Sequence, residues 1–125
     1  MKRLLLVGLG GFLGAISRYL LGGWVHKWLR NPWFPYGTLA VNVLGCFVIG
    51  LLGGLADHRG LLSSEARMFL LVGLLGGFTT FSSFGYESLA LFRDAETWAG
   101  LLNIACHIIL GVGAVFVGYK LSYAV

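Results

Sequence analysis

The segment GGFTTFSSFGYES, from Gly76 to Ser88, concentrates more potential chemistry than any other stretch of this sequence. Hydroxyl side chains compete with the helix ladder for backbone groups, and paired glycines loosen a turn, so the run predicts a local break in a helix. A break frees carbonyl oxygens that can hold a small cation and N–H groups that favour an anion. Thr79, Thr80, Ser82 and Ser83 add hydroxyl donors. Phe81 and Phe84 are three apart and face the same way on a helix. The edge of an aromatic ring is electropositive, so such a pair can contact an anion, or it can simply pack. Glu87 follows the run and is a candidate for an entrance near the helix end.

Outside this run, polar residues are few and set deep among apolar ones. Arg18 interrupts an apolar run. A guanidinium at bilayer depth costs about 2.5–3.5 kcal/mol on insertion scales, so it faces protein or water, bonds backbone carbonyls, sits near an anion path, or snorkels to the interface. Asn42 lies mid-run with Thr38 one turn before it. Its carboxamide needs partners and serves either as glue between helices or as a donor to a passing solute. Asn103, His107 and Gly111 form an i, i+4, i+8 stripe, the mark of a wet helix face. On that face His107 is a protonatable group, a pore-lining donor or a packed ring. Nothing here reads as an enzyme. Gly8, Gly10 and Gly14 give GxGxxxG without a preceding strand, and HExxH, GxSxG, P-loop and paired-carboxylate patterns do not occur.

The elements that must position these residues are membrane helices. Apolar residues make up 58% of the 125-residue chain and charged residues only 11%, against about 25% charged in soluble domains. The net charge of +4 is spread between apolar runs and forms no nucleic-acid footprint. Crossing the hydrocarbon takes about 20 apolar residues. Segments near 4–28, 36–56, 67–92 and 98–123 satisfy this, which predicts an all-α, four-helix integral membrane protein with a break in the third helix and a single domain over 1–125. The ten-residue alternation of a membrane barrel is missing. Ser63 or Ser64 ahead of Glu65 marks the third helix start. Trp24, Trp28, Trp33 and Trp98 fall near predicted helix ends, as interfacial aromatics do. The basic and apolar N-terminus has the look of a signal peptide, but apolar character resumes after Arg18 and runs to Trp24, so a retained first helix is expected. Cys46 and Cys106, inside apolar runs, read as buried thiols.

Twenty glycines, mostly within these helices, imply close backbone packing within or between chains. With four helices both termini share a side. That side carries Lys2, Arg3, Arg59, Arg67 and Lys120, and the other carries Lys27, Arg30 and Arg93. So small a bias lets a chain insert either way up. Four short helices enclose little, and a polar path forms more easily between two copies.

Three segments, GxxxGAxxRY from Gly10 to Tyr19, YGTLAVNVLGCFVIG from Tyr36 and GLLGGFTTFSSFGYES up to Ser88, resemble the CrcB/Fluc family of fluoride channels, and the likeness extends over essentially the whole chain. The resemblance implies a dual-topology antiparallel homodimer in the inner (plasma) membrane, with two pores that let fluoride leave the cytoplasm passively. It implies that Phe81 and Phe84 line the pores with their ring edges, that Asn42 lies on the fluoride path, and that backbone carbonyls of Gly76 and Thr79 from both copies hold a central structural Na+; Thr80, Ser83, Asn103 and His107 are the further residues expected along that path. Arg18 is implied near the vestibule and Glu87 near a pore mouth.

The fourth helix departs from the family pattern, which has hydroxyls where this chain has His107 and Gly111. Ser83 stands for a common threonine. These departures leave room for an unlike homologous partner subunit. The main rival is a proton-coupled small multidrug exporter, which needs a mid-membrane carboxylate, whereas the first helix carries Arg18 and no acid. A non-conducting membrane subunit is the other rival.

Overall fold

The computed structural model describes residues 1–30 and 33–124; Asn31 and Pro32 of the first connection, and Val125, lie outside the described residues. Among the described residues, four helices are long and apolar enough to cross a membrane: Lys2–Leu29, Tyr36–Arg59, Ser64–Arg93 and Thr97–Leu121. This is a multi-pass membrane protein.

Each end has a local cause. The first helix stops at Arg30, which turns left-handed at φ 48°. The second stops at Gly60, with φ 60°, and its last turn carries His58 and Arg59, cations that favour the negative end of a helix dipole. It outruns the apolar segment 36–56 because charged residues continue a helix readily once it has left the hydrocarbon. The Ser63 hydroxyl accepts the Ala66 N–H at 3.1 Å and so caps the third span. The side chains of Lys2 and Glu65 meet at 2.7 Å, which places the N-terminus beside that cap. Nearby, Arg67 Nη2 donates to the Ala56 carbonyl at 2.8 Å, supplying a donor to the last turn of the second helix.

The third span is the irregular one. After Ser64–Arg67 it widens to a π-helix over Met68–Leu75 and returns to α-helical winding for Gly76–Phe78. Thr79 and Thr80 are extended, with ψ 156° and φ −147° respectively. Helix resumes at Phe81 and runs to Arg93. The break expected from the glycine and hydroxyl run therefore falls on the two threonines.

Two glycine seams hold the bundle. The first helix lies against the front half of the third span, where a Cβ on Gly10 would overlap the Phe69 carbonyl and one on Gly14 the Leu74 carbonyl. The second helix lies against the fourth, with Gly50 facing the Val115 carbonyl and Gly118 facing the Phe47 carbonyl. Small residues bring these backbones into direct contact, the source of attraction left to helices surrounded by lipid. Gly14→Ala should therefore cost about 1–3 kcal/mol, the range for overpacking a filled site. A lowered melting temperature in detergent would register it, and an unchanged one would show the seam to be loose.

The outward surface is apolar, including Leu4, Leu9, Phe12, Leu20, Ile109 and Phe116. Trp24 and Trp28 stack near the end of the first helix, with ring centroids 6.0 Å apart.

Candidate functional site: the broken third helix and its two grooves

In an unbroken helix the Thr80 N–H would go to the Gly76 carbonyl. Here it goes to Asn42 Oδ1 at 2.8 Å, while Asn42 Nδ2 donates to the Thr80 carbonyl at 3.0 Å. One carboxamide thus takes both backbone groups of Thr80 and holds the chain extended where helix would otherwise continue. Of the two roles open to Asn42 from its position, the joining of helices is realised directly. Its amide still has a second hydrogen for another acceptor.

Hydroxyls fix both sides of the break. Thr79 Oγ1 donates back to the Leu75 carbonyl at 3.0 Å. Thr80 Oγ1 accepts the Ser83 N–H at 3.1 Å, capping the resumed helix, and donates to Ser83 Oγ at 3.0 Å. Ser82 Oγ lies 3.3 Å from the same Thr80 hydroxyl. From the first helix, Arg18 Nη1 reaches the Thr79 carbonyl at 3.4 Å. Arg18 is therefore tied to a backbone carbonyl at the break.

Thr80 separates two grooves. The first, of about 360 Å³, is lined by Asn42, Gly76, Thr79, Phe81, Phe84 and His107, among others. The second, also about 360 Å³, is lined by Arg18, Thr38 and Ser83 along with Tyr19 and Gly22. Thr80 contributes to both walls. In the first groove Phe81 and Phe84 lie with centroids 5.4 Å apart and planes at 57°, and Phe84 lies 4.3 Å from the His107 ring at 35°. Phe81 is 83% exposed, a large aromatic at the lip with nothing of its own chain over it.

Asn103 is fully buried behind this wall. Its Nδ2 donates to Ser88 Oγ at 2.9 Å, and Ser88 Oγ donates to the Phe84 carbonyl at 2.8 Å. Asn103 therefore supports the turn that carries Phe84, and its carbonyl oxygen Oδ1 has no partner. Its backbone carbonyl lies 2.9 Å from His107 Nδ1. Gly111, next in the stripe, faces Cys46, whose sulfur would be 3.6 Å from an added Cβ. Glu87 lies apart, in a hollow of about 370 Å³ with His26, Asp94 and Glu96. Its Oε1 accepts the Thr38 hydroxyl at 2.6 Å, and its Oε2 has no partner.

Sequence spacing missed two of these residues as site elements. Ser88 and Thr38 carry the bonds that anchor Phe84 and Glu87. The i+4 spacing of Ser88 from Phe84 was the available signal, because a serine at that distance can bond back to the earlier carbonyl.

The model of the CrcB-like protein, Camphor Resistance (CrcB) family matches residues 5–119. The chain belongs to the CrcB family. Three CrcB relatives agree with it over nearly their full lengths. A fluoride-specific ion channel FluC of Thermus thermophilus is 51% identical over 98% of this chain and 95% of its own. The FluC of Rhizobium etli (strain CFN 42) is 45% identical over 99% of this chain and 98% of its own. Fluoride-specific ion channel FluC 3 of Methanosarcina barkeri is 41% identical over 100% of this chain and 93% of its own. At such coverage, the broken span and both grooves lie within the CrcB match.

Proposed function

We propose that this chain is a subunit of a fluoride-selective channel that lets fluoride leave the cell passively. Two antiparallel copies in the inner membrane would form it. The observation that carries this reading is the first groove, where a broken membrane helix brings Asn42, Thr80, Phe81 and Phe84 together. The names of the CrcB relatives support it as well.

Fluoride is small and holds its water tightly, so a selective path must replace that water with donors. The remaining Asn42 amide hydrogen and the ring edges of Phe81 and Phe84 in the first groove, and the Ser83 hydroxyl hydrogen in the second, are of the right kind. Among the described residues no acidic side chain lines the first groove, so no carboxylate there repels an anion or trades protons for it. Neutral donors in sequence hold an ion weakly enough to release it. Support for a second copy comes from the uncovered Phe81 ring and from the near-even spread of basic residues between the two sides.

The Gly76 carbonyl is suited to a small hard cation, and the Thr79 carbonyl, which accepts Arg18 Nη1 at 3.4 Å, keeps a second lone pair for one. Gly76 has given up its helical donor, because the Thr80 N–H is taken by Asn42, and unwound backbone carbonyls are the usual ligands of Na+ within membranes. Gly76 and Thr79 of both copies would hold one structural Na+, whose charge would tie the two broken helices together.

Liposomes reconstituted with this protein alone should release fluoride quickly and retain chloride, read by two electrodes side by side. Silence from well-folded protein would overturn the homomeric channel and leave an unlike partner subunit or a non-conducting role.

A further inference from the structure

On the groove wall, His107 has a ring tautomer fixed by its backbone contact. Its Nδ1 lies 2.9 Å from the Asn103 carbonyl oxygen, one helical turn back. A carbonyl only accepts, so Nδ1 carries the hydrogen and donates. In the neutral ring Nε2 is then a bare lone pair. That nitrogen is enclosed by protein and has no hydrogen-bond partner, an arrangement that is costly to maintain. A second proton makes Nε2 a donor and the ring a cation. The ring lies beside Phe84 at a centroid separation of 4.3 Å and shares the groove wall with Asn42 and Phe81.

The surroundings decide what balances that charge. From the second helix, Cys46 is the titratable side chain on the groove wall. From the third span, Glu87 is held by Thr38 and lines a different hollow. From the first helix, Arg18 reaches the Thr79 carbonyl and lines the groove beyond Thr80. On its own helix, the neighbouring polar group is the neutral Asn103. Among the described residues, no carboxylate stands on the groove wall to pair with a protonated His107. The counter-charge left to it is a small anion in the groove.

The geometry points to His107 as a proton-dependent determinant of anion affinity: its protonated ring sets positive charge against Phe84, and proton and anion strengthen each other's binding. This rests on the reading of the groove as an anion path. His107 acts through Phe84 as a positioning residue. Because the coupling is an equilibrium one, it runs both ways.

Two measurements test it. The first is the half-saturating fluoride concentration for release from vesicles between pH 8 and pH 5.5, with the leak of protein-free vesicles subtracted. It should fall by about tenfold as pH is lowered, the scale of one charge acting across a partly desolvated site. In His107→Gln and His107→Ser the dependence should vanish. A flat wild-type profile, or the same slope in both variants, overturns the inference. The second is the protonation midpoint of the His107 ring by NMR in detergent, its signal assigned by its loss in His107→Gln. Fluoride should raise that midpoint by about one unit, the same tenfold seen from the other side. If vesicles pass no fluoride and the midpoint still moves with fluoride, the channel reading fails and the inference stands. A midpoint indifferent to fluoride overturns it whether or not ions flow.

Discussion

Phe84→Ile should drop fluoride release to the level of protein-free vesicles while leaving the helical fold intact. Isoleucine is apolar and fills much of the phenylalanine volume, so the cost in packing stays small beside that of truncation. Phe84 is only half-buried, between Phe81 at 5.4 Å and His107 at 4.3 Å, so the change meets no tightly filled core. What isoleucine cannot supply is an electropositive ring edge. Between two aromatic rings the same quadrupole contributes about 0.5–1.5 kcal/mol, which serves as the scale here. At about 1.36 kcal/mol per tenfold, one such contact accounts for up to roughly tenfold in rate. The ion also loses the donor that replaced part of its water, which takes the effect beyond that figure. Circular dichroism and elution volume should match the wild type. Unchanged fluoride release would remove Phe84 from the path. Phe81→Ile should act in the same direction, and the 83% exposure of Phe81 makes it the safer of the two for the fold.

How far the sequence alone reaches depends on which physical force sets each feature. The four spans follow from the cost of placing charge in hydrocarbon, a property of each segment by itself, and so they are legible from composition. The break is legible for a similar reason, since Gly76, Gly77, Thr79 and Thr80 are locally poor helix formers. What local chemistry does not reveal is the partner that stabilises the break. Asn42 stands thirty-eight residues before Thr80, and only the packing of the second helix on the third span brings its amide to that backbone. The glycine seams are half legible in the same way. Glycine density announces close packing, yet only the structure shows Gly10 and Gly14 pairing with the third span and Gly50 with the fourth helix, while Gly53 meets nothing within 4 Å.

The polar stripe of the fourth helix shows how a correct face can divide into different roles. Asn103, His107 and Gly111 do share a side, as their spacing requires. Asn103, fully buried, holds Ser88 beneath Phe84; His107 reaches the groove; Gly111 faces Cys46. One turn of helix, about 5.4 Å, is enough to carry a side chain from the interior to a groove wall. Periodicity gives the face and is silent on depth.

Asn42→Asp should cut fluoride release about as deeply as Phe84→Ile, and for a different reason. The substitution is nearly isosteric and keeps an acceptor for the Thr80 N–H now held at 2.8 Å. It removes the donor to the Thr80 carbonyl, now at 3.0 Å, and sets two oxygens in apposition there. It also places a negative charge on the groove wall beside Phe81 and Phe84. Two like charges 4 Å apart repel by about 4 kcal/mol at an effective dielectric of 20, close to a thousandfold in rate. Asn42→Ser separates the two causes. Serine removes the double clamp on Thr80 without adding charge, so it should weaken the break and lower release by a smaller factor. Equal losses in the two variants would mean that Asn42 acts by holding the third span extended, and that its remaining amide hydrogen never meets the ion. A much deeper loss with aspartate would place position 42 within reach of the passing anion, because only a charge near the path can add a barrier that the lost clamp does not.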